Sequence, residues 1–178
     1  MKSLNKILNN ATKSANIILL PFESKNYREY LKELLEFSLK KYKKICYITL
    51  NDPFDTITQK LSDKEKSKIF FIDCVTSTVK ATEQKENVIF VSSPHALTEI
   101  SIALKKTIEK IKTDFVIFDS ISSMLVYEQS LTVLKFIHSI VLMLRKAKLN
   151  TIFIILKEDV SEEVVKDLAM FVDVILKV

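Results

Sequence analysis

Apolar residues along this chain fall into two patterns that alternate from end to end. Short continuous runs predict strands buried on both faces, and stretches with a period near 3.6 predict amphipathic helices. The runs cover residues 16–20, 45–50, 69–73, 88–91, 115–118, 151–156 and 172–178, with Pro21 expected to stop the first. Tyr27, Tyr30, Leu31, Leu34, Leu35 and Leu39 place a helix over residues 26–42. Further helices are predicted over 54–61, from Ser93 as cap and Pro94 in the first turn to about 112, over 130–148, and from Ser161 to about 170. Residues 62–68 read as an exposed connection and 75–87 as a surface loop or weak hairpin. Leu4, Ile7 and Leu8 give the first 14 residues the character of an arm or short helix. Buried strands alternating with amphipathic helices define one α/β domain over residues 15–178, its mostly parallel sheet having about seven strands flanked by helices.

Composition narrows the function classes. At 48% hydrophobic and 28% charged, the 178 residues suit a globular domain rather than a disordered chain. The greasiest stretch, residues 131–144, is broken by Lys135 and His138, so a buried helix is expected there, not a membrane span. With no signal-peptide pattern at the start, the chain is expected to be cytoplasmic. Net charge is +5, but of 27 basic residues only Arg28 and Arg145 are arginine. Arginine is the usual residue for bidentate phosphate contacts, which argues against a dedicated nucleic-acid surface. The run Lys40-Lys41-Tyr42-Lys43-Lys44 falls at a predicted helix end, where cations complement the dipole. Cys46 and Cys74 sit in apolar runs without a metal or redox spacing and are expected to be buried thiols. Glycine is absent altogether, where average usage would give roughly 12. A glycine-rich phosphate cradle cannot be built from this chain.

The stretch 114–123 carries the candidate chemistry. Phe115, Val116, Ile117 and Phe118 run into Asp119, which is followed by hydroxyls at Ser120, Ser122 and Ser123. A carboxylate at the carboxyl end of a parallel strand lies where open α/β sheets bind ligands. The segment 116–122 resembles the Walker B strand of RecA-type ATPases of the KaiC and RadA kind, written as hydrophobics followed by Asp-Ser. The segment 45–52 is similar to the second core strand of that group, and residues 132–156 to the helix and strand after Walker B. This resemblance implies a three-layer RecA-like fold and a magnesium-binding role for Asp119 beside Ser120.

The departures from that family are as specific as the matches. Where a Walker A loop would follow the first strand, the chain reads Pro21-Phe22-Glu23-Ser24-Lys25-Asn26. No glycine lets the backbone wrap a phosphate there, Glu23 opposes one, and Lys25 lacks the Ser or Thr that follows a Walker lysine. The family's catalytic glutamate pair is replaced by Asn51 and Asp52, and an amide cannot act as a general base. Asp52 is expected to cap the short helix after Pro53.

The chain therefore reads as a RecA/KaiC-like domain that has lost its chemistry. It is expected to need no cofactor and to act through a protein partner or self-association, with a related active ATPase as one candidate partner and neither nucleic acid nor membrane. One alternative is a nucleotide-binding protein or ATPase whose pocket gathers Asp119, Ser120, Asn51, Asp52, Glu23, Lys25 and Lys157 at the strand ends, with ATP and magnesium as ligands. Another is a receiver-like phosphoacceptor built on Glu23, Asp119 and Lys157.

Overall fold

A computed structural model describes residues 4–177. The first three residues of the predicted arm and Val178 of the predicted last strand lie outside them. In chain order the elements are α1 (Leu4–Ser14), β1 (Ile17–Phe22), α2 (Tyr27–Lys41), β2 (Ile45–Thr49), α3 (Phe54–Thr58), α4 (Asp63–Lys66) and β3 (Ile69–Asp73). Then follow α5 (Thr76–Val79), β4 (Val88–Phe90), α6 (Leu97–Lys106), β5 (Phe115–Asp119), α7 (Ile121–Tyr127), α8 (Ser130–Lys146), β6 (Asn150–Leu156), α9 (Glu162–Ala169) and β7 (Val174–Ile175).

The strands form one seven-stranded sheet in the order β4-β3-β2-β5-β6-β1-β7, with every pairing parallel. β1, β2 and β5 are buried along their whole length and β6 along all but its two ends, which is why the sequence shows runs rather than alternation. Alternate residues feed two cores. Tyr47, Phe115, Ile117 and Ile152 face α1, α2 and α3, while Cys46, Val116, Phe118 and Phe153 face α6 to α9. The helix after β2 thus packs on one face and the helix after β5 on the other. The two strands are neighbours, so the sheet's topological switch point lies between them.

Several boundaries differ from the sequence expectation. Pro21 does not stop β1, because in a parallel strand alternate residues bond to opposite neighbours. Ile17 and Leu19 accept from Asp173 and Leu176 on the β7 side, and β7 ends opposite Leu19. The missing N–H of Pro21 therefore faces an open edge and breaks no ladder bond. Residues 62–68 contain the turn α4, where the Glu65 carboxylate accepts the Ser62 N–H at 2.8 Å and its hydroxyl at 2.6 Å, the Ser-x-x-Glu signature of a helix start. Ser93 is not a cap: it accepts the Ala96 N–H in a turn, and α6 starts only at Leu97. The hydroxyl-rich segment after Asp119 forms α7, a helix its serines concealed.

Without glycine, left-handed positions fall to other residues, two of them just after helices and one, Asn87, in the turn before β4. Asn87 and Lys112 take φ of 61° and Lys148 takes 56°. Cys46 and Cys74 are buried free thiols, and burial pushes Cys46 up to about 12 against an opposing hydrogen bond from Thr107. Among the described residues no helix is long and apolar enough to cross a membrane.

Candidate functional site

At the switch point, β2 and β5 run in register with Tyr47 opposite Ile117 and Thr49 opposite Asp119. Tyr47 and Asp119 therefore project from the same face of the sheet, toward α2. Asp119 is only 1% exposed. Its Oδ2 accepts the hydroxyl of Tyr27 at 2.7 Å and that of Tyr47 at 2.5 Å. Tyr27 is the first residue of α2, so the helix that follows β1 delivers a hydroxyl to the end of β5. The other oxygen, Oδ1, accepts the Asn51 side-chain N–H at 3.2 Å. Asn51 also donates to the Ser120 hydroxyl at 3.3 Å and accepts from Ser123, while the Ser120 and Ser123 oxygens lie 3.1 Å apart. The peptide bond between Asp119 and Ser120 is cis.

The electrostatics follow from burial. Burial pushes the Asp119 carboxyl up to about 6, against the hydrogen bonds from Tyr47, Tyr27 and Asn51 that favour its ionised form. Burial, with the Asp119 charge added, raises both phenols above their ordinary value. Tyr27 and Tyr47 accordingly keep their protons and act as donors. What the arrangement does chemically is hold one carboxylate, close to its titration point, under three protein donors.

The other sequence-predicted residues form separate groups. Asp52 does not cap α3. It receives both guanidinium nitrogens of Arg28, at 2.6 and 3.2 Å, and Arg28 sits 5.7 Å from the Tyr27 ring centroid. The carboxylate that bonds the first N–H of α3 is Asp73, which accepts from Phe54 at 2.9 Å and from Val75, Thr76 and the Thr76 hydroxyl as well. Lys25 reaches back to Glu23 at 2.9 Å, and Lys157 lies 3.9 Å from Glu23. These three residues share the ends of β1 and β6, while Asp119, Ser120, Asn51 and Asp52 share the ends of β2 and β5. Lys157 also lines a shallow cleft of 300 Å³ with Pro21, Ile155 and Val160. A groove of 470 Å³ between α2 and the α3–α4 segment touches none of the predicted residues. Among the described residues, no cluster of three or more His, Cys, Asp or Glu side chains is arranged to hold a metal ion.

Three contributors escape a reading of the sequence. Tyr27 and Tyr47 lie in apolar patterns where an aromatic reads as core. Glu158 is the third. It accepts the backbone N–H of Ser24 at 3.0 Å and its hydroxyl at 2.8 Å, and the Ser24 hydroxyl bond is the main cause that lowers its pKa. The available signal was register: Phe22 pairs with Leu156, so residues two positions beyond each strand end, Ser24 and Glu158, sit level.

Residues 34–178 match the family described as "Family of unknown function (DUF7504)". No curated protein matches the chain. Among solved structures, the chain is similar to a KaiC-like protein of the hyperthermophilic archaeon Pyrococcus horikoshii OT3, with a TM-score of 0.55 and 10% identity over 79% of this chain. It spans 60% of the length of that protein. At that identity the likeness is one of fold, and the fold is RecA/KaiC-like.

Proposed function

This chain belongs to the DUF7504 family of unknown function, and we propose that it is a RecA/KaiC-like domain without a Walker A loop that acts by binding protein, as a regulatory or scaffold module. The observation that carries this reading is the Tyr27 hydroxyl, 2.7 Å from Asp119. In RecA-type ATPases a carboxylate at this strand end faces magnesium and phosphate. Here it faces α2, and Tyr27, Tyr47 and Asn51 occupy both its oxygens. The turn after β1 supports the same conclusion, because its Ser24 N–H is taken by the Glu158 carboxylate, an anion where a phosphate would need a donor. Asn51 bonds serines and Asp119 and has no base to offer. Magnesium and a triphosphate do not fit this set of residues. The partner is another protein or a second copy, with a related active ATPase as one candidate, since function belongs to sites rather than folds.

Isothermal calorimetry with magnesium plus ATP or GTP, at up to millimolar nucleotide, is expected to give no saturable heat. Affinity capture from extract with mass spectrometry is expected to return a reproducible partner. Micromolar nucleotide binding that disappears in Asp119→Ala would overturn the reading.

A further inference from the structure

In an all-parallel sheet every strand starts at the same end, and the helices leading into those strands finish there. In this chain that end gathers lysine. Lys40 and Lys43 precede β2, Lys110 and Lys112 precede β5, and Lys146 and Lys148 precede β6. All six are exposed, and none forms an ion pair among the described residues. Helix ends attract cations, but other lysines already fill that role, since Lys44 bonds the Ile111 carbonyl and Lys68 the Leu39 carbonyl. Two of the acids nearest these lysines are occupied, while Glu86 before β4 and Asp167 in the last turn of α9 form no ion pair among the described residues. Asp114 accepts the backbone N–H groups of Lys43 and Lys44, and Asp173 holds Arg145 at 2.7 Å together with the N–H groups of Asn16 and Ile17.

One corner of the same end adds exposed apolar surface. Leu142 lies four residues before the end of α8 and is 55% exposed, and Met170 at the end of α9 is 73% exposed. The two helices are joined here. Phe171 stacks on His138 with centroids 4.8 Å apart, and Arg145 bonds the Phe171 carbonyl. Two large apolar side chains rimmed by Arg145, Lys146 and Lys148 favour one class of partner. Nucleic acid would call for arginine forks or stacking aromatics. An anionic bilayer calls for point charges and a few apolar side chains that can enter the headgroup boundary.

We infer that the amino-terminal end of the sheet, with the Leu142–Met170 corner, docks on an anionic lipid surface. The expectation of no membrane partner rested on the lack of a spanning helix, which says nothing of a surface held by charge. This inference goes beyond the proposed protein-binding role and is independent of Asp119.

The test is sedimentation of the full chain with phosphatidylcholine vesicles, with and without phosphatidylserine, at low and high salt. Binding is expected only with phosphatidylserine and is expected to weaken with salt. Each surface lysine contributes about fivefold in affinity, so the variant Lys40→Glu/Lys43→Glu/Lys110→Glu/Lys146→Glu should lose about a hundredfold or more. Leu142→Ser with Met170→Ser should lose about tenfold, both variants keeping the wild-type circular dichroism. Failure to bind phosphatidylserine vesicles at low salt would overturn the inference. So would unchanged binding by the apolar double variant, or tighter binding to a DNA duplex than to the vesicles.

Discussion

Tyr47→Phe is expected to lower the unfolding free energy by about 2 kcal/mol at pH 8 and by clearly less at pH 5. The lost hydroxyl donates to a fully buried carboxylate at 2.5 Å, and a hydrogen bond to a charged group contributes roughly 1.5–3 kcal/mol. The ring itself remains packed among Phe71 and its neighbours, so no large cavity opens. Losing this donor raises Asp119 further above about 6. At pH 5 the carboxyl is then protonated, and the missing bond is one to a neutral group, with a smaller cost. Tyr42 supplies the control, since its hydroxyl accepts from the Asn150 amide at 3.1 Å rather than serving Asp119. Tyr42→Phe should cost about 1 kcal/mol, with little change between pH 5 and 8. Urea unfolding at both pH values measures the contrast. Equal costs for Tyr47→Phe at pH 5 and 8 would mean that the carboxylate does not change charge beneath it.

The second large effect is the pH dependence carried by Asp119 itself. Burial raises its folded-state pKa from 3.8 to about 6, so the folded protein holds this proton more tightly than the unfolded chain does. Its contribution to stability is therefore full below pH 3.8 and declines as pH rises through about 6. A displacement of this size corresponds to about 3 kcal/mol. Acidic groups such as Asp173 act in the opposite sense: hydrogen bonds from Ile17 and Arg145 outweigh its burial and lower its pKa. Comparison with Asp119→Asn separates the two contributions. Between pH 4 and pH 8, wild-type stability should fall relative to the variant by about 2.5 kcal/mol, most of the full displacement. A constant difference over that range would show that Asp119 titrates alike in both states.

How much of this could be read from the chain depended on the range of the interaction concerned. Burial on both sheet faces is written into each strand locally, so Phe115 to Phe118 and Ile45 to Leu50 predicted central strands without any knowledge of their neighbours. The strand-end position of Asp119 followed at once. Its partners did not, because Tyr27 lies 92 residues away and Tyr47 72 residues away. In isolation each looks like an ordinary core aromatic, and only the sheet register turns its hydroxyl toward a carboxylate. Glu158 meets Ser24 across 134 residues for the same reason. Pro21 misled because its cost depends on which neighbour its missing N–H faces, a property of the strand order and not of the residue. Asp52 misled because Arg28, 24 residues earlier, offered a charged fork in place of a helix N–H.

These partners also change what Asp119 signifies. As a strand-end carboxylate followed by serine it resembles one half of a nucleotide site. As the acceptor of Tyr27, Tyr47 and Asn51 it ties α2, β2 and β5 together at the switch point, where an ATPase would leave room for its ligand. The proposed loss of nucleotide chemistry rests on that tie.

The most direct test is the carboxyl carbon resonance of Asp119, followed by NMR from pH 3 to 9 with and without magnesium and ATP. A midpoint near 6, unmoved by either ligand, is the predicted result. A midpoint that falls toward 4 or below when magnesium and ATP are added would contradict it, by placing the carboxylate at a working nucleotide site.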